Sequence, residues 1–114
     1  MTLTELDNKY YFHDSSLEAI RFDQNLHSLE MTIDFCFWMQ PGYIKTSPKT
    51  GIIKLIFKDV QSFTGKSVNY KLATILKVDV LSHKQINFYI LDEDNDEFID
   101  LTIAANSVEV LEHV

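Results

Sequence analysis

With 114 residues, 46% of them apolar and 12% aromatic, the chain has the length of one domain (1–114), enough to bury roughly two thirds of its unfolded surface. Three Gly, two Pro and 24% charged residues exclude a disordered or low-complexity chain, and the single cysteine, Cys36, excludes an internal disulfide or a multi-thiolate metal centre. A net charge of −7 disfavours nucleic acid as the main partner, because phosphate binding draws on Lys and Arg.

The opening MTLTELDNKYYFHD is too polar and acidic for a signal peptide, and no apolar run reaches about 18 residues, so a cytoplasmic chain without a membrane span is expected. Next comes YFHDSSLEAIRFD, where His13, Asp14 and Ser15 are the residue types of a hydrolytic triad. Adjacent residues on one backbone point apart, whereas a triad needs converging side chains. No G-x-S-x-G elbow is present either. Asp14 and Ser15 instead suit a turn, since both side chains can bond to nearby backbone amides.

From Leu17 to Asp23 a short strand is predicted, with Ile20 and Phe22 on one face, and QNLH then makes a hairpin turn. The clearest pattern follows: Leu29, Met31, Ile33, Phe35 and Phe37 alternate with Glu30, Thr32, Asp34 and Cys36, the period of a strand. This phase puts Cys36 with Glu30 and Asp34 on a partly accessible face. MQPGYIKTSPKTG is a loop broken by Pro and Gly, with room for an extended piece at Tyr43–Lys45. Ile53, Leu55 and Phe57 mark a second long strand. Residues 68–80 read as strand by composition, although ATILKV also fits a helical turn. Ile86, Phe88 and Ile90, then Ile99, Leu101 and Ile103, mark two more strands joined by the polar connection DEDNDE. SVEVLEHV ends the chain as a strand or a short closing helix.

Six or seven strands with polar connections predict a mainly β fold, an antiparallel curled sheet or β-sandwich with at most one short helix. A single flat sheet would leave Trp38, Ile56, Tyr89 and Leu91 exposed on its second face, which favours the curled form.

Charge is unevenly distributed. Residues 1–42 carry −5, residues 43–77 carry +6 through seven lysines against Asp59, and residues 78–114 carry −8. Six carboxylates crowd one connection: Asp92, Glu93, Asp94, Asp96, Glu97 and Asp100. Asp92, Asp94 and Asp96 begin with the D-x-D-x-D spacing of a calcium loop, but Glu97 stands where glycine is needed and Ile103 where a bidentate glutamate belongs. His13, His27, His83 and His113 show no ligand spacing. No metal and no cofactor are therefore expected. A basic protein partner would relieve the crowding of carboxylates and be steered to it at long range. The acidic segment would supply steering and rim contacts, and Trp38, Tyr43 and Tyr89 are the candidate buried anchors.

At FHDSSLEAIRFDQNLHSLEMTIDF and KLIFKDVQSF, with a looser echo in FIDLTIAANSVEV, the chain resembles small bacterial β-rich immunity proteins of contact-dependent inhibition and related polymorphic toxin systems. The resemblance implies binding without catalysis: a cognate inhibitor covering a toxin domain, often a nuclease with a basic substrate surface. Two other readings remain open. One is a small hydrolase or metal-dependent enzyme centred on His13 and Asp14; the other is a homo-oligomeric module that pairs through an exposed sheet edge.

Overall fold

The chain opens with T-L-T-E. In the computed structural model, which describes residues 1–112, Glu5 N donates to Thr2 Oγ1 and Thr2 N donates to Glu5 Oε1, each at 3.0 Å. This reciprocal cap starts α1 (Leu3–Lys9), which buries Leu3 and Leu6 one turn apart. The extended segment after it buries Tyr10 and Phe12 and exposes Tyr11.

Seven longer strands follow: β1 (Ser16–Asp23), β2 (Ser28–Cys36), β3 (Thr50–Lys58), β6 (Ala73–Ser82), β7 (Gln85–Asp92), β8 (Glu97–Ala104) and β9 (Ser107–Glu112). Two strands of two residues, β4 (Ser62–Phe63) and β5 (Val68–Asn69), lie between β3 and β6. All pairings are antiparallel, in the order β4-β8-β7-β6-β1-β2-β3-β9, with β5 also paired to β1.

β8 and β9 stand far apart in this order, yet only Ala105 and Asn106 join them. The sheet therefore has to curl until its two ends approach. Asn106 N donates to Lys58 O at 3.1 Å, and Gln61 N donates to Ala104 O at 2.8 Å. This is the expected curled antiparallel architecture. The concave side takes one apolar set from every long strand, including Ile20, Met31, Ile33, Leu55, Phe88, Ile103 and Val108, all buried. Phe12, Phe35 and Phe88 meet edge to face at 5.5–6.0 Å between ring centres, tying the N-terminal segment to both halves of the curl.

Two strands depart from simple alternation. β1 has a register shift between Leu17 and Ala19, which lets Leu17 and Ile20 face inward although they are three apart. β6 has one between Ile75 and Lys77, so that Ile75 points inward and Val78 packs against the core. The helix-like spacing of ATILKV is thus a bulge. The loop 37–49 opens with a 3-10 turn at Phe37–Met39 and forms no strand at 43–45. The tail is strand β9 through Glu112; His113 and Val114 lie outside the described residues. Among the described residues no helix is long and apolar enough to cross a membrane.

Candidate functional site

The H-D-S turn is built into the seam between β1 and β6. Asp14 adopts φ 68° and its N donates to Ile75 O at 3.0 Å, while Ile75 N donates to Ser15 O at 2.8 Å. Ser15 is 0% exposed, and its Oγ accepts from Cys36 N at 3.0 Å. Cys36 Sγ in turn donates to Asp14 O at 3.4 Å. The thiol is therefore buried under this turn, which corrects the partly accessible position that strand phase alone assigns to it. His13 Nδ1 lies 3.1 Å from Asp14 Oδ1 at the surface, and its ring stacks on Tyr11. A hydroxyl shut inside the core has no path to a substrate, so the three residues form a turn rather than a converging site.

The acidic connection is a tight hairpin between β7 and β8, with Asp96 at φ 52°, a conformation Asp tolerates better than most residues. Its six carboxylates are not equivalent. Asp92 continues the inward phase of Ile86, Phe88 and Ile90 and is only 4% exposed; its Oδ2 accepts from Asn95 Nδ2 at 2.8 Å. Glu93, Asp94, Asp96, Glu97 and Asp100 remain at the surface.

Beside the hairpin, the outer face of β6, β7 and β8 carries an apolar strip. Register places Tyr89 opposite Asp100, Leu91 opposite Phe98 and Lys77 opposite Tyr89. The Lys77 ammonium lies 4.5 Å from the Tyr89 ring centre and 3.4 Å from Asp79 Oδ2. Leu76, Lys77, Tyr89, Phe98 and Asp100 line a shallow groove of about 420 Å³. Phe98 is 80% exposed, the most exposed large apolar side chain of the described residues. It is not among the anchors expected above, although the phase of Ile99, Leu101 and Ile103 puts Phe98 on the opposite, outer face.

Trp38 and Tyr43 belong elsewhere. Trp38, 50% exposed, donates its N to Lys49 O, and the Tyr43 hydroxyl donates to Ser47 O. Tyr43 lines a second groove of about 490 Å³ with Phe37, Pro41, Ile44, Pro48 and Ile52. One row across the sheet, Asp34–Ser16–Thr74–Leu91, fixes the relation between the two regions. From that row β2 runs forward into the 37–49 loop, whereas β7, oppositely directed, runs into the acidic hairpin. The two groups lie toward opposite ends of their strands. Of the expected anchors, Tyr89 stands opposite Asp100 on the outer face.

The hairpin also meets part of the positive middle of the chain. Lys66, Tyr70 and Lys71 line a cleft of about 220 Å³ with Asp92, Asp94 and Glu97. Burial, and then the neighbouring Asp92, raise the Tyr70 phenol above its ordinary range. Among the described residues no three His, Cys, Asp or Glu side chains converge as a metal site. No family model, no curated protein and no solved structure matches this chain.

Proposed function

We propose that this chain is a non-enzymatic binding protein that covers a basic protein partner with the β7–β8 hairpin and the adjoining outer face. The observation that carries the reading is Phe98: an aromatic side chain 80% exposed, beside Tyr89, with Glu97 and Asp100 on either side of it in β8. Fully burying such a side chain contributes roughly 1.5–3 kcal/mol, and anchors of this type dominate binding energy when polar groups surround them. The carboxylates supply long-range steering toward positive charge.

The resemblance to immunity proteins gives that partner a class, a toxin domain delivered between bacterial cells, with a basic nuclease as the natural candidate. The chain then acts in the cytoplasm by occlusion, making and breaking no bonds. The hydrolytic alternative at His13 and Asp14 draws no support from a Ser15 that is buried and bonded to Cys36 N. Co-expression with the variable C-terminal domain of a large secreted protein encoded beside this gene tests the reading. A stable one-to-one complex that abolishes the toxin's activity is expected. Failure of the two chains to associate contradicts it.

A further inference from the structure

The cleft beneath the hairpin carries a local imbalance of charge. Three carboxylates (Asp92, Asp94 and Glu97) and two ammonium groups (Lys66 and Lys71) line it, leaving one negative charge over. Neither lysine stands within ion-pair distance of these carboxylates; the lysine ion pairs among the described residues are made by Lys54, Lys58 and Lys77. Asp92 Oδ1 is buried and has no hydrogen-bond partner among the described residues. A buried carboxylate oxygen without a donor is costly, and a cationic donor answers it best. Asn69 and Asn95 add polar lining, while Tyr70, Val68 and Ile99 supply surfaces that suit the face and stem of a long cationic side chain. Among the described residues no three ligating side chains converge as a metal site, which favours an organic cation over a metal ion here.

We infer that this cleft receives a single guanidinium or ammonium group from a protein partner, with Asp92 as its carboxylate and Tyr70 as its aromatic wall. The inference rests on the binding role proposed above and names the side chain that role would recognise. Lys66, Lys71, Asp94 and Glu97, which line the cleft with Asp92, are exposed, and exposed rotamers exchange within nanoseconds, so they can give way to an entering group.

The test is titration of the whole isotope-labelled chain with Nα-acetyl-arginine amide, followed by amide chemical shifts, with calcium chloride in a parallel titration. The expected result is a saturating, millimolar response confined to residues 66–71 and 92–97, and none to calcium. Asp92→Asn should weaken it at least tenfold. If that variant loses its dispersed spectrum, the exposed pair Asp94→Asn and Glu97→Gln should weaken it at least threefold in a folded chain. Non-saturating shifts spread over all acidic residues, or wild-type affinity in the folded variants, would overturn the cleft. The two readings fail separately: arginine amide without effect while the toxin domain still binds sinks the cleft alone. Arginine amide binding without any toxin complex sinks the function proposed above.

Discussion

Ser15 shows how much one buried hydroxyl contributes. It receives the amide of Cys36 at the end of β2, so Ser15→Ala leaves that amide without an acceptor in a closed environment. The expected cost is about 1–3 kcal/mol, read as a lower urea midpoint with unchanged slope. Phe98 should behave in the opposite way. Because it is largely exposed, Phe98→Ala should shift stability by no more than about 0.5 kcal/mol in thermal unfolding, while the affinity for the toxin domain falls at least tenfold. A loss of stability with unchanged affinity would make Phe98 a packing residue.

At the scale of elements, the residues flanking α1 on both sides bond to β9. The N-terminal ammonium of Met1 donates to Val108 O at 2.9 Å, and the Tyr10 hydroxyl donates to Glu112 Oε1 at 3.2 Å. Burial first, then the charge of Glu112, push the Tyr10 phenol up to about 12, against an unfolded value near 10. The neutral phenol is the form favoured by the fold. Its contribution is complete below pH 10 and is lost as pH rises through 12. Denaturant midpoints should therefore fall between pH 10 and 12, and Tyr10→Phe should flatten that fall. An equally steep fall in the variant would assign it to other groups.

The long strands were legible because Leu29, Met31, Ile33 and Phe35, like Ile53, Leu55 and Phe57, alternate without interruption. β1 and β6 were harder to read because a bulge changes phase mid-strand, so that Ile75 and Val78 mimic a helical interval. The T-L-T-E cap of α1 was present in the sequence but was masked by the polarity that argued against a leader. Asp92 is a different case. Its inward phase was readable from Ile86, Phe88 and Ile90, yet its charge put it among the surface acids.

For the whole molecule, sequence showed how charge is divided along the chain but not where the divisions meet. The curl brings Lys66 and Lys71 against the acidic hairpin, and it sends Trp38 and Tyr43 toward the other end of the strands. Those positions depend on strand order, and a β8 to β9 link of two residues spanning a curled sheet leaves no periodic trace in composition. Trp38→Ala should accordingly leave toxin affinity within about twofold, a difference of roughly 0.4 kcal/mol. A larger loss in a calorimetric titration would move the interface to the loop end.

The most direct measurement is the association rate with the toxin domain across a series of salt concentrations, for the wild type and for Glu93, Asp94 and Glu97 changed together to Lys. All three are exposed hairpin side chains. If this end of the fold meets a basic partner, the wild-type rate falls steeply with salt, and the variant associates at least tenfold more slowly at low salt with a much flatter dependence. Identical rates and identical salt slopes would contradict it.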